Sequence, residues 1–262
     1  MTAPRAGTDI IPCWPVGPDR PELGADDVHV WSISLDAHGV RLDALARELS
    51  DEERSRAGRF VFDADRARFV TGHARLRTIL ARYLDVAPSA LRFGSNAFGK
   101  PRVTCGEAVP PIRFNFSHSG RLALCAVARA RDVGVDVERI EASESLDEIA
   151  DRFFSPDEAE ALDALPPAQR CQAFYACWSR KEAYVKGHGR GMSMPLDSFD
   201  VSLLPGDQDA LLADRNECEQ SVWTLCDLCP APGFAAALAV EGRGASISCF
   251  HLTESVTLPS AS

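Results

Sequence analysis

The sequence has no long hydrophobic run. None of its 262 residues lies in an apolar stretch approaching the roughly 20 residues that a helix needs to span a bilayer, so we expect no membrane partner. The first 24 residues lack an apolar segment behind a basic start, which argues against a secretion signal. Their five prolines instead predict an irregular N-terminal segment. The remaining composition, 45% hydrophobic and 25% charged, is that of a globular protein.

Positive charge is scarce overall but locally concentrated. The chain carries 28 basic and 38 acidic residues, a net charge of −10, which argues against a general nucleic-acid binder. Residues 54–82 nevertheless contain eight arginines and two acids. The planar guanidinium group of arginine suits phosphates and carboxylates because it donates two parallel hydrogen bonds. We expect most of these arginines on a solvated helix face and one or two in contact with a phosphate.

The cysteines do not indicate a disulfide framework. There are nine of them, an odd number, and they are scattered along the chain, which predicts reduced thiols in a cytoplasmic protein. Cys226 and Cys229 form a C-x-x-C pair. A zinc site needs two further ligands at suitable spacing, and none stands out, so we interpret both as core or strand residues.

Familiar nucleotide-binding and hydrolase motifs are missing. The chain has neither a G-x-x-x-x-G-K-[ST] phosphate loop nor a G-x-S-x-G nucleophile elbow. Residues 187–191 read GHGRG, but they follow a helical pattern instead of opening one, so they predict a helix end and exit loop. Ser117 and His118 are adjacent on a predicted strand and point to opposite faces, so they are a poor nucleophile and base pair.

Two short segments instead bring acids and lysines into suggestive patterns. Residues 134–138 read GVDVE, an alternation that places Asp136 and Glu138 on one face of a strand. Residues 178–186 read WSRKEAYVK, where Glu182 and Lys186 are four apart and share one helix face. Magnesium prefers oxygen ligands and binds proteins through a few carboxylates plus phosphate oxygens of a substrate. If the two segments meet, they therefore predict a magnesium site facing a phosphate.

The chain repeats itself weakly after 105 residues. Ser50–Glu53 and Ser155–Glu158 are both Ser-x-x-Glu, the pattern of a capping box at the start of a helix. Strand-like segments precede both, at 29–34 and 134–139, and long helices follow, ending near Tyr83 and His188. Further strands are predicted at 90–93, 101–104, 112–117 and 122–128 in the first half, and at 199–203, 221–226, 234–240 and 246–252 in the second.

The repeat predicts an α+β fold of two pseudo-symmetric halves. We place an irregular segment at 1–24, an N-terminal half at 25–131, a C-terminal half at 132–254 and a tail at 255–262. A cleft between two such halves is a favoured position for a ligand. The first half has Trp31, Ile33 and Arg77 at the positions of the second half's three acids, so the acidic chemistry belongs to the second half alone.

Two turns of the first half are suited to an anion. Residues 98–103 read FGKPRV, in which a lysine and an arginine flank a proline after a glycine. Residues 114–120 read FNFSHSG, in which hydroxyl groups, an imidazole and backbone amides come together in a turn.

Taken together, segments 134–138 and 178–186 resemble the signature of the 4′-phosphopantetheinyl transferase superfamily. The F-G-K-P turn, the N-F-S-H-S-G turn and the doubled length resemble its surfactin-synthetase-activating, or Sfp-type, branch. The match runs in order from about Leu49 to Phe199. The resemblance implies two fused halves in a pseudo-dimeric monomer, with the active site in the cleft between them.

The resemblance also implies a reaction and its participants. The enzyme would transfer the 4′-phosphopantetheine arm of coenzyme A to a serine of an apo acyl or peptidyl carrier protein and release adenosine 3′,5′-bisphosphate. Magnesium, with manganese as the alternative, would assist, and the carriers would serve polyketide or nonribosomal peptide synthesis. Two other readings stay open at this point: a metal-dependent nucleotide pyrophosphohydrolase and a non-catalytic module that binds carrier domains.

The resemblance assigns roles to individual residues. The metal ligands would be Asp136, Glu138 and Glu182, and the catalytic residues Glu182, Lys186 and Asp136, with Glu182 or a water that it orients as the base. Glu53 stands where relatives often carry a basic residue, and we interpret it as the capping-box acid. The coenzyme A contacts would be Arg56, Arg68, Lys100, Pro101, Arg102, Ser117, His118, Lys181 and Lys186.

Overall fold

The computed structural model describes residues 13–36, 42–104, 112–143, 145–206, 210–214 and 222–253. Its α-helices are α1 (Leu42–Ala46), α2 (Asp51–Ala57), α3 (Asp63–Leu84), α4 (Leu146–Phe153), α5 (Pro156–Asp163) and α6 (Pro167–His188). Its strands are β1 (Asp27–Ser34), β2 (Phe93–Ser95), β3 (Pro101–Val103), β4 (Ile112–Ser119), β5 (Leu122–Arg129), β6 (Val133–Arg139), β7 (Phe199–Val201), β8 (Leu211–Asp214), β9 (Trp223–Leu228), β10 (Phe234–Glu241) and β11 (Ser246–His251). Short 3-10 helices cover Pro88–Ala90, Gly191–Ser193 and Leu196–Ser198.

Two larger sheets organise the molecule. The first has the strand order β11-β1-β5-β4, and the second has the order β6-β10-β9. Strand β5 is antiparallel to both β1 and β4, whereas β11 is parallel to β1. In the second sheet β10 is antiparallel to β6 and to β9. The mixed helices and sheets confirm the predicted α+β class.

The predicted repeat is present in the order of the elements. Each half begins with a strand, β1 or β6, and later enters a short helix followed by a 22-residue helix, α3 or α6. Both short helices, α2 and α5, begin with a capping box, in which the serine side chain accepts from the N3 amide and the N3 glutamate accepts from the serine amide. The long helices end at Leu84 and His188, close to the predicted ends.

The end of the chain returns to the first sheet. Strand β11 pairs with β1 from Asp27 opposite Ser246 to Ser32 opposite His251. A strand of the predicted C-terminal half therefore completes the sheet of the N-terminal half. The domain boundaries themselves stay a prediction. Of the predicted segments, residues 1–12, 37–41, 105–111, 144, 207–209, 215–221 and 254–262 lie outside the described residues.

Two local expectations differ from the structure. The strand expected at 90–93 is replaced by a 3-10 helix at Pro88–Ala90, and β2 begins only at Phe93. Pro88 opens that helix because its fixed φ angle suits a first helical position. Strand β8, which the sequence did not predict, pairs antiparallel with β7.

An apolar layer joins the two sheets and orients β6. Val28 and Leu124 of the first sheet belong to the same buried cluster as Val135, Val137 and Leu238 of the second. Since successive side chains of a strand point to opposite faces, the residues between these valines face α6. Within the described residues, no helix combines the length and the apolar character needed to cross a bilayer.

Candidate active site

Strand β6 and helix α6 approach each other closely at two glycines, Gly134 and Gly187. A Cβ atom added to Gly134 would lie 2.0 Å from the carbonyl oxygen of Ala183 and 2.2 Å from the backbone nitrogen of Gly187. Both are backbone atoms, which cannot swing aside as a flexible side chain can. Only glycine therefore allows this approach, which brings the strand carrying Asp136 against the helix carrying Lys186.

Three side chains of β4 connect the first half to β6. Asn115 Oδ1 accepts a hydrogen bond from the amide of Val135 at 2.8 Å. Ser117 Oγ donates to Asp136 Oδ1 at 2.8 Å, and Ser119 Oγ donates to Glu138 Oε2 at 2.9 Å. Because strand side chains alternate, every second residue of the N-F-S-H-S segment points to β6. Ser117 was predicted as a site residue but Asn115 and Ser119 were not, although the same alternation could have identified them.

Lys186 lies at the centre of this contact. Its Nζ donates to Asp136 Oδ1 at 2.5 Å and to Ser117 Oγ at 3.0 Å. Asp136 is only 1% exposed, and its second oxygen, Oδ2, is buried without a hydrogen-bond partner among the described residues. A carboxylate oxygen buried in this way costs free energy unless it acquires a cation or a donor.

The neighbouring carboxyl groups influence one another. Burial raises the pKa of Glu138, and the charge of Asp136 raises it further, against the hydrogen bond from Ser119. Burial also raises the pKa of Glu182; Lys186 offsets part of this effect, and Asp136 adds to it. Strand β6 and helix α6 thus place three mutually repelling acids in one electrostatic neighbourhood, which a cation would stabilise.

Whether a metal ion can bind here depends on the carboxylate oxygens of Asp136, Glu138 and Glu182. Among the described residues, no group of three or more His, Cys, Asp or Glu side chains is arranged to hold a metal ion. Asp136 nevertheless has a buried oxygen without a hydrogen-bond partner among the described residues. The charge of Asp136 also raises the pKa values of Glu138 and Glu182, which is the repulsion that a bound cation would relieve. Carboxylate oxygens are the ligands that magnesium prefers, and magnesium commonly completes its shell with water and substrate phosphate. The residues fit magnesium chemically, although they do not form a closed shell by themselves.

A large cleft in the first half extends to β4. Its volume is about 910 Å³, which is in the range of small-molecule and cofactor sites. Arg56 and His73 line it, as do Pro101 from the F-G-K-P turn and Phe116 from β4. The guanidinium of Arg56 lies 5.2 Å from the centroid of the Phe69 ring, a cation–π contact that orients it.

A smaller cavity of about 290 Å³ adjoins the cleft, since His73 and Phe116 line both. Arg68 and His118 also line this cavity. His118 is exposed whereas Ser117 is buried, which confirms that the two neighbours point to opposite faces. Although the residue as a whole is exposed, partial desolvation of its ring lowers the pKa of His118, and the neighbouring His73, Lys186 and Arg56 lower it further. Several predicted anion contacts thus lie near one another.

The side chain of Lys100 lies at the end of α6. Its Nζ donates to the carbonyl oxygen of Gly187 at 2.6 Å and lies 3.4 Å from Asp132 Oδ1. The ammonium group is therefore bound at the end of α6, and its contact with a phosphate of coenzyme A stays a prediction. Pro101 and Arg102 are exposed, and Pro101 lines the large cleft; their contacts with coenzyme A stay predictions.

Lys181, another predicted phosphate contact, has its ammonium group bound inside the protein, and its contact with coenzyme A stays a prediction. Lys181 is fully buried, and its Nζ donates to the carbonyl oxygens of Leu196 and Phe199, both at 2.7 Å. It also forms an ion pair of 2.7 Å with Glu158. Of the two lysines in the W-S-R-K-E-A-Y-V-K segment, only Lys186 reaches the site, because the helix turns the other to the opposite side.

Glu53 is a structural acid. It closes the capping box of α2 with Ser50, and its Oε2 accepts from Arg77 Nε at 2.8 Å. His73 Nδ1 lies 3.2 Å from its Oε1. Burial opposes the ionisation of Glu53, but these hydrogen bonds outweigh burial and hold its pKa at about 2. Its interpretation as a capping-box acid is confirmed, and its carboxylate also orients two groups that line the cleft.

Comparison with known proteins identifies the family. A family model described as the 4′-phosphopantetheinyl transferase superfamily matches residues 132–239, and one described as 4′-phosphopantetheinyl transferase, N-terminal, matches residues 36–130. The 4′-phosphopantetheinyl transferase HetI of Nostoc sp. is 37% identical over 238 residues, which cover 91% of this chain and 98% of that protein. The 4′-phosphopantetheinyl transferase Sfp of Bacillus subtilis is 38% identical over 155 residues, covering 59% of this chain and 66% of that protein.

The α+β fold with two halves and these similarities define a class of transferase that uses coenzyme A and acts on carrier proteins. The chain belongs to the 4′-phosphopantetheinyl transferase superfamily, and proteins of the Sfp type are among its relatives.

Proposed function

We propose that this enzyme modifies apo acyl or peptidyl carrier proteins of polyketide or nonribosomal peptide synthesis in the cytoplasm, in a reaction that needs magnesium or manganese. The observation that supports this most directly is the contact of Lys186 with Asp136 and Ser117, which joins the two halves near a cleft with basic walls. The cleft is large enough for a nucleotide, and the adjoining acids suit a divalent cation.

Coenzyme A would bind with its phosphates towards the basic groups of the first half. Arg56, Arg68 and His118 would contact phosphate oxygens, because they line the cleft and the adjoining cavity. Pro101 and Arg102 would lie along the adenosine. Ser117 and Lys186 would approach the pyrophosphate from the border of the two halves.

The transfer itself needs a base and charge neutralisation. Magnesium held by Asp136, Glu138 and Glu182 would supply Lewis-acid stabilisation of the pyrophosphate when bound. Glu182 accepts the proton of the carrier serine, whose oxygen forms a bond to the phosphorus that bears the pantetheine. The bond from that phosphorus to the bridging oxygen breaks, and adenosine 3′,5′-bisphosphate leaves with the electron pair. Burial raises the pKa of Glu182, which makes its carboxylate a better proton acceptor.

The test is intact mass spectrometry of a panel of apo carrier domains incubated with coenzyme A, magnesium and the enzyme, with and without a chelator. We expect a mass gain of one phosphopantetheine arm that the chelator abolishes. Breakdown of coenzyme A without a carrier would instead support a pyrophosphohydrolase, and carrier binding without either reaction would support a non-catalytic module.

Glu182→Gln tests the assigned base with little change of shape. We expect turnover to fall by roughly 100-fold or more, with coenzyme A binding largely retained. Glu160→Gln is the matched control, because Glu160 is an exposed acid on α5. Equal turnover in the two variants would refute the role of Glu182.

A further inference from the structure

One turn of the first half holds the end of the helix that carries Lys186. Lys100 Nζ donates to the carbonyl oxygen of Gly187 at 2.6 Å, and Asn96 Nδ2 donates to that of Gly189 at 2.9 Å. The last carbonyl groups of an α-helix have no partner within the helix, so they need donors from elsewhere. The two donors come from residues 87 and 93 positions away in the sequence, in the other half of the chain.

The turn is built to present these donors. Asn96 Oδ1 accepts from the amides of Phe98 and Lys100, both at 2.9 Å. The amide of Asn96 donates to the carbonyl oxygen of Lys100 at 2.9 Å, and Gly99 adopts a φ of +90°, a conformation that favours glycine. These bonds fix the backbone of the turn through contacts within the turn itself. Gly99 and Pro101 of the same turn line the large cleft.

The contact lies next to the acidic site. Gly187 follows Lys186 directly, and it is also the residue against which Gly134 of β6 packs. Gly189 has a φ of +67°, and a Cβ atom added there would lie 2.7 Å from Lys100 Cδ. Asp132 directly precedes β6, and its Oδ1 lies 3.4 Å from Lys100 Nζ. The ammonium group therefore contacts both the start of β6 and the end of α6.

We propose that Lys100 is a positioning residue for the transfer reaction: with Asn96, it caps α6 and so holds Lys186 and Glu182 in place against β6. The inference rests on the proposed roles of Glu182 and Lys186. A cation at the C-terminus of a helix is favoured by the helix dipole as well as by the hydrogen bond. Because the same turn borders the cleft, the helix is fixed relative to the place where coenzyme A would bind.

Lys100→Met tests the proposal, since it keeps most of the side-chain stem and removes the donor. A displacement of about 1 Å can cost a reaction roughly 100-fold, so we expect kcat to fall about 10- to 100-fold while the KM for coenzyme A changes less than about threefold. Amide hydrogen exchange of residues 186–190 should become faster in the purified full-length protein. Arg113→Gln is the matched control: Arg113 Nε lies 4.0 Å from the same Asp132, and kcat should stay within about twofold.

Asn96→Asp is a second variant that decides the question if Lys100→Met does not fold. It keeps the oxygen that shapes the turn, removes the donor to Gly189 and adds a negative charge at the helix end, which the dipole disfavours. We expect lower kcat and faster exchange at the same amides. Exchange rates equal to those of Arg113→Gln would overturn the capping role. Normal kcat with a raised KM would show instead that Lys100 contacts the substrate. If Glu182→Gln stays active, the proposed function loses its base, while the exchange data still decide whether Lys100 caps the helix.

Discussion

Gly134→Ala is the substitution for which the structure makes the sharpest prediction. The added Cβ would lie 2.0 Å from the carbonyl oxygen of Ala183, whereas ordinary contacts begin at 3.4 Å, so strand and helix must separate by about 1.4 Å. The atoms in the way belong to the backbone of α6, and a local side-chain adjustment cannot relieve the overlap. The distance between β6 and α6 must therefore increase.

Two consequences follow from that separation. Overpacking of a tight interior costs about 1–3 kcal/mol, and here the overlap is between the backbones of β6 and α6, so we expect the free energy of unfolding to fall by about 3 kcal/mol. The same movement carries Asp136 away from Lys186, whose Nζ is 2.5 Å from its Oδ1. A misplacement of roughly 1 Å can cost about 100-fold, so kcat should fall by about that factor.

The assays are urea denaturation and the initial rate of carrier modification at saturating coenzyme A. Gly58→Ala is the control, because Gly58 has a φ of −68° and an added Cβ would come no nearer than 3.5 Å to another atom. That variant should be unchanged or more stable by about 0.4–1 kcal/mol. If Gly134→Ala behaves like Gly58→Ala in both assays, the argument that this glycine sets the geometry of the site is refuted.

Two further predictions concern buried ionic groups. Glu53→Gln should lower the free energy of unfolding at pH 7 by at most about 3 kcal/mol, because the folded-state pKa of Glu53 is about 2 instead of 4.5. The difference in stability between the variant and the unsubstituted protein should shrink as the pH falls from 4.5 towards 2. A difference that does not change with pH in guanidinium titrations would contradict this prediction. Lys181→Met should cost about 3–5 kcal/mol by leaving Glu158 buried without its cation, with part recovered in the double variant with Glu158→Gln. Because Lys181 is fully buried and paired with Glu158, we expect the KM for coenzyme A to stay unchanged in the folded single variant, and a large rise would support the predicted phosphate contact instead.

Much of the fold could be predicted from local patterns. The Ser-x-x-Glu segments at 50–53 and 155–158 predicted two helix starts, since a capping box depends only on residues three positions apart. The long helices and most strands followed from hydrophobic periodicity. The alternation in G-V-D-V-E correctly put Val135 and Val137 on the face opposite Asp136, because side chains alternate along any strand.

Contacts between distant segments could not be predicted in the same way. Lys181 and Lys186 belong to the same segment of α6, yet only the side chain of Lys186 contacts Asp136 of β6. Which lysine points to β6 depends on how α6 packs on that strand. Lys100 was expected at a phosphate, but its hydrogen bond is to Gly187, 87 residues away. Strand β8 was not predicted, because its four residues are too few to show a clear alternation and its pairing with β7 is a tertiary contact.

The sequence by itself determined which residues are acids, which are glycines, and where the long helices and most strands begin, because those properties depend on neighbours within a few positions. Only the tertiary structure decided that Gly134 and Gly187 touch, that Asn115, Ser117 and Ser119 bridge to β6, and that β11 returns to the first sheet. The physical reason is that these contacts depend on how whole helices and strands pack. Small differences in backbone position then decide which of two side chains with the same sequence pattern makes a contact.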